Sequence, residues 1–158
     1  MLDAVRARID RLPLHRFAAG ATVLAAGTKT GRLLFLETGR IGIVRDGVTV
    51  TRVREPGAVF GEMSLLLDVP HTADVVALDD SSLRVAEGAA ALLLEHPELT
   101  AYVATVLAHR LDAATRYLVD VKTQFADAGS HLGMIDEVLD SLASRHPKSL
   151  RARPAGPS

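Results

Sequence analysis

The sequence predicts an α+β fold: an antiparallel β jelly-roll barrel with a short N-terminal helix and C-terminal helices, one of them long. Three observations predict it. Between residues 14 and 85, short apolar runs are cut by glycines at positions 20, 27, 31, 39, 42, 47, 57 and 61. From about residue 86, apolar residues instead recur every three or four positions, the helical period. Ahead of Pro13 a single short segment shows that same period.

Residues 2–12, LDAVRARIDRL, place Leu2, Val5, Ile9 and Leu12 on one face of a short helix, which Pro13 stops. The pieces ATVLAAG, RLLFLETG, RIGIVRDG, VTVTRVREPG and TADVVAL follow. VTVTRV alternates with period two, the pattern of a half-buried strand. Asp46-Gly47 lies between two such runs and predicts a hairpin, because this pair tolerates the positive φ of a tight turn. Glu55-Pro56-Gly57 predicts a second turn. Many short strands at this spacing indicate a barrel or jelly roll over residues 14–85.

Helices are expected over residues 86–126, completing a domain of residues 1–126. EGAAALLLEHPEL gives a short helix, a break, and a new start at Pro97-Glu98, where proline suits a first helical turn. From Pro97 to Ala126 the apolar positions are Leu99, Val103, Leu107, Leu111, Ala114, Leu118, Val121 and Phe125. That stripe predicts one helix about 45 Å long at 1.5 Å per residue. Such a helix outruns a small barrel, so a homodimer through the long helix is expected to cover the surplus. Ala128-Gly129-Ser130 breaks it, and Leu132, Ile135, Leu139 and Leu142 mark a helical appendage within residues 127–146. Residues 147–158, basic and proline-rich, are expected to form a disordered tail.

Composition narrows the function. The 158 residues are 48% apolar and 23% charged, enough for a packed core. The formal net charge of −1 supplies no global field for nucleic acid or an anionic membrane. Cysteine is absent, which removes disulfides, thiolate metal sites and a cysteine nucleophile. No apolar run approaches the roughly 18–20 residues of a membrane span, and no secretory leader pattern opens the chain. A cytoplasmic protein is expected.

One stretch carries chemistry. Residues 61–77 read GEMSLLLDVPHTADVVA. Gly61 permits close backbone approach to a ligand, and free amides at the following helical turn suit an anion. Glu62 offers a carboxylate to a sugar hydroxyl, and Thr72 offers a hydroxyl to a phosphate oxygen. Together these suit a phosphorylated sugar.

This pattern resembles the cyclic-nucleotide-binding domain, shared by the bacterial catabolite activator family, protein kinase A regulatory subunits and cyclic-nucleotide-gated channels. The family's phosphate-binding cassette reads roughly Phe-Gly-Glu-Leu-Ala-Leu-Leu, a variable gap, then Pro-Arg-Thr/Ser-Ala-x-Val-x-Ala. This sequence has Phe60-Gly61-Glu62-Met63-Ser64-Leu65-Leu66, then Pro70-His71-Thr72-Ala73-Asp74-Val75-Val76-Ala77. Ala19 to Leu24, Gly27, Gly39-Arg40 and Pro56-Gly57 also fall where the family's strands and turns fall, so the resemblance spans about residues 14–126. It implies that Glu62 holds the ribose 2′-hydroxyl. It implies that backbone amides from Gly61 to Ser64, with Thr72 and the Ala73 amide, hold the phosphate of cAMP or cGMP. It also implies that the long helix closes over the base, with Asp112, Thr115 and Arg116 in the window for that contact.

His71 departs from the family. The arginine expected there is always charged and binds phosphate with two hydrogen bonds. Histidine reaches less far and is largely neutral at pH 7. Losing a buried charge-assisted pair costs on the order of 2–5 kcal/mol, about 30- to several-thousand-fold in affinity. Two readings follow. The pocket binds a cyclic nucleotide weakly, tighter at pH 6 than at pH 8, with His71 or a substituting cation such as Arg116 meeting the phosphate. Alternatively, the pocket has lost its ligand and the fold serves as a dimeric interaction scaffold.

Other classes find less support. The histidines at positions 15, 96, 109, 131 and 146 show no HxH or HExxH spacing, and no GxSxG is present, so neither a metal site nor an enzyme is expected. The DNA-binding relatives carry some 60–70 residues of helix-turn-helix after the long helix, by resemblance; about thirty residues follow Ala126 here, so no specific DNA binding is expected. The expected output is an unidentified protein partner, reached through the C-terminal helices of a stand-alone sensor.

Overall fold

The structure is a computed structural model and describes residues 1–125 and 131–144. It holds two compact units that divide between Leu107 and Ala108. The first unit opens with α1 (Leu2–Asp10), β1 (Leu14–Phe17), β2 (Thr22–Leu24), β3 (Leu33–Thr38), β4 (Ile41–Arg45) and β5 (Val48–Val53). It continues with β6 (Val59–Phe60), α2 (Glu62–Leu67), β7 (Asp74–Ala77), β8 (Ser81–Ala86), α3 (Ala89–Glu95) and the start of α4 (Pro97–Gln124). Among the described residues the eight strands form two four-stranded sheets, ordered β1-β8-β3-β6 and β2-β7-β4-β5. Every pairing is antiparallel. Antiparallel strands with helices on either side agree with the α+β class expected from the sequence, and the strand pairings form two sheets rather than one closed barrel.

The core follows from β3. Its residues Leu33, Leu34, Phe35 and Leu36 are all buried, because both faces of this strand are covered. Leu33 and Phe35 join Val5 and Ile9 of α1, Ala89 and Leu93 of α3, and Leu99 and Val103 of α4. Leu34 and Leu36 face the other way, with Leu24, Ile41, Phe60, Val75, Leu83 and Val85. The N-terminal helix is thus part of the core. An Arg8–Glu98 ion pair at 3.7 Å adds a polar tie between α1 and α4.

Two strands escape the apolar runs of the sequence. β1 is short and mostly exposed, and β8 carries Arg84 at its centre. β8 nonetheless lies between β1 and β3. Arg84 is accommodated because its guanidinium donates to Glu37 Oε1 at 3.1 Å and to the Leu12 carbonyl at 3.0 Å. β5 departs from simple alternation. It is an edge strand whose ladder shifts register between Ile43 and Val44, and Val48 and Val50 are exposed. Asp46 and Gly47 both take positive φ in the turn before it, as that pair predicts.

The second unit contains α4 from Ala108 and α5 (His131–Ser144). Lys122 pairs with Asp136 and links the two helices. None of the residues in this unit whose burial is described is buried, and Leu111, Val119, Phe125, Met134, Val138 and Leu142 are all exposed. The expected helix break at residues 128–130 and the expected disordered tail lie outside the described residues. No helix among the described residues is long and apolar enough to cross a membrane.

Candidate functional site

β6 delivers the chain to the site. Phe60 is buried in the core between the sheets, and Gly61 follows with φ +89° as the N-cap of α2. A side-chain carbon at Gly61 would stand 2.5 Å from the Arg32 carbonyl oxygen, so this turn requires glycine twice over. No side chain caps the first turn of α2. Glu62 and Ser64 point inward and are buried, whereas Met63, Leu66 and Leu67 are exposed. The Ser64 hydroxyl donates to the Val69 carbonyl at 2.5 Å and so closes the α2 turn on itself. Asp68 ends the helix in the left-handed region, and its carboxylate meets Lys29 Nζ at 2.5 Å.

The returning segment is bound along its length by a strap, residues 25–30, which no motif in the sequence marks. The His71 amide donates to the Thr28 carbonyl at 2.8 Å, and the Gly27 amide donates to the His71 carbonyl at 2.8 Å. His71 Nε2 and Thr30 Oγ1 are 2.9 Å apart. The Ala26 amide donates to Asp74 Oδ1 at 2.7 Å. These partners lie more than forty positions apart in sequence, and TKT between two glycines carries no signal for them. Thr72 is exposed and Ala73 half-buried.

The two arms of the predicted cassette therefore meet. The Val69 amide donates to the Ser64 carbonyl at 3.2 Å, and Glu62 attracts a proton to the His71 ring electrostatically. That attraction is the smaller effect: burial dominates and lowers the His71 pKa below the ordinary histidine value. His71 is accordingly neutral at pH 7. Arg116 lies on α4 in the second unit, where it pairs with Asp112 one turn away, an interaction that raises its pKa. Thr115 beside it is half-exposed. Among the described residues no group of three or more His, Cys, Asp or Glu could hold a metal ion.

Chemically, the site presents a buried carboxylate, a neutral imidazole, an exposed hydroxyl and a helical turn free of side-chain caps. The family model described as cyclic nucleotide-binding domain matches residues 14–95, just over half of the chain. A cAMP-dependent protein kinase regulatory subunit from Aspergillus niger is 35% identical over 77 residues, which cover 48% of this chain and 19% of that protein. The chain spans about a fifth of the length of the curated relatives it matches. The crystal structure of Thermus thermophilus catabolite activator protein aligns with a TM-score of 0.61 and 22% identity, over 90% of this chain and 84% of that one. A cyclic nucleotide-binding domain from Methylobacillus flagellatus aligns with a TM-score of 0.60 and 23% identity, over 82% of this chain and 75% of that one. Both structures share the fold.

Proposed function

We propose that this chain, which belongs to the cyclic nucleotide-binding domain family, is a regulatory sensor that binds cAMP or cGMP weakly in the Phe60–Ala73 cassette. The carrying observation is that Glu62 and His71, nine positions apart in sequence, are both buried, with the Glu62 carboxylate acting electrostatically on the His71 ring. The family assigns Glu62 to the ribose and the Gly61–Ser64 amides, Thr72 and Ala73 to the phosphate. His71 brings no permanent charge to that phosphate, which is the reason for weak binding. The Aspergillus niger relative is a regulatory subunit of a cAMP-dependent kinase, and this makes cAMP the first ligand to test.

Ligand binding would shift the population of poses of the C-terminal helices and so signal to a protein partner. A homodimer through α4 belongs to the same reading. A second reading, a ligand-free scaffold, draws on the engagement of the His71 ring by Thr30.

Calorimetry with cAMP and cGMP separates the two, using the wild type and His71→Arg. Sensor function predicts weak heat for the wild type and an affinity at least 30-fold higher in the variant, the lower bound for restoring a charge-assisted pair. Heat from the variant alone would mean a pocket that has lost its ligand. Silence from both would leave the scaffold.

A further inference from the structure

We propose that Thr30 fixes the ring tautomer of His71: its hydroxyl donates to Nε2, the ring proton sits on Nδ1, and Nδ1–H is the donor His71 offers to a phosphate oxygen. The last step rests on the nucleotide-binding reading; the tautomer does not.

The geometry begins with two anchored residues. The His71 backbone is bonded by both Gly27 and Thr28, at 2.8 Å each, which holds its main chain against the strap. Thr30 Oγ1 stands 2.9 Å from Nε2. The same oxygen accepts from the Arg32 amide at 3.3 Å. A hydroxyl has one proton and two lone pairs. With one lone pair facing the Arg32 amide, the hydroxyl keeps one proton and one lone pair, and we place the proton toward Nε2. A nitrogen that accepts leaves the ring proton on the other nitrogen, since a neutral imidazole carries only one.

Nδ1 is the available atom. It has no hydrogen-bond partner among the described residues, yet no buried side-chain nitrogen or oxygen there is left without one. Nδ1 therefore keeps contact with solvent, although His71 as a whole is only 8% exposed. A ligand atom can reach it.

The consequence is specific to histidine in this place. A neutral ring meets an anion either with an N–H or with a bare lone pair, and only the first attracts. Thr30 selects the first. A strap residue more than forty positions away thus determines whether His71 can stand in for a charged side chain. Thr30 is a positioning residue: it acts through His71.

The test is ring 15N NMR on the full chain at pH 7.5 without ligand, with the His71 signals identified by their loss in His71→Gln. The wild type should show His71 protonated at Nδ1. Thr30→Val, matched in shape but lacking the hydroxyl, should move the proton toward Nε2, and Thr30→Ser should restore it. A wild-type His71 protonated at Nε2 overturns the proposal whether or not Thr30→Val folds. An unchanged tautomer in a folded Thr30→Val overturns it too, even if cAMP affinity falls, because the effect would then be structural. In calorimetry with cAMP, Thr30→Val should bind about ten- to a hundred-fold more weakly, the range for one hydrogen bond to a charged group. If the wild type gives no heat, the nucleotide-binding reading fails and the phosphate-donor step with it; the spectrum still decides the tautomer.

Discussion

The carbonyl oxygen of Arg32 occupies the space that a side chain on Gly61 would need, 2.5 Å from its first carbon. Backbone thus presses on backbone where β6 turns into α2. Gly61→Ala should destabilise the protein by about 1–3 kcal/mol from the positive φ alone, with the clash added. Gly27 is the control. Its φ is +80°, but nothing lies within 4 Å of an added carbon, so Gly27→Ala should show only the strain. Urea unfolding of both variants checks the difference. Equal losses would mean that the Arg32 contact yields without cost.

His71 makes stability depend on pH in a definite direction. Its unfolded pKa is about 6.5, and its folded pKa is lower because burial outweighs the attraction of Glu62. The unfolded chain therefore takes up a proton that the folded chain refuses. The stability contributed by neutral His71 is present above about pH 6.5 and declines as pH falls toward the folded pKa. Urea midpoints at pH 7.5 and 5.5 should differ more in the wild type than in His71→Gln. Ligand binding runs the opposite way. A bound phosphate would raise the His71 pKa, so affinity should increase as pH falls. Because burial lowers the ring's pKa in the free protein, the gain should develop below the ordinary histidine value of about 6.5. Calorimetry with cAMP across pH 8 to 5 measures this; flat affinity would separate His71 from the phosphate.

The second unit has apolar side chains and no buried residue among those described. Leu111 and Val119 are 47% and 46% exposed on α4. If a twin helix covers them, the wild type should sediment as a dimer, and Leu111→Glu combined with Val119→Glu should sediment as a monomer. A monomeric wild type at tens of micromolar would remove the homodimer from the functional reading.

Local chemistry made part of this protein legible from sequence. Asp46-Gly47 announces its turn because few residue pairs accept positive φ in succession. Pro97 marks the start of α4 because proline fits only a first helical turn. Gly61-Glu62 with Pro70-His71-Thr72 points to the cassette because that order resembles the family's phosphate-binding pattern. Tertiary structure decided the rest. β8 joins the centre of a sheet despite Arg84, since Glu37 and the Leu12 carbonyl, both distant in sequence, receive its charge. Leu66 and Leu67 are apolar and yet exposed, which residue type alone does not announce. The strap on His71 and the contact of its ring with Thr30 come from groups more than forty positions apart. Backbone conformation is encoded by neighbours along the chain, whereas burial, hydrogen-bond partners and protonation depend on neighbours that only folding supplies.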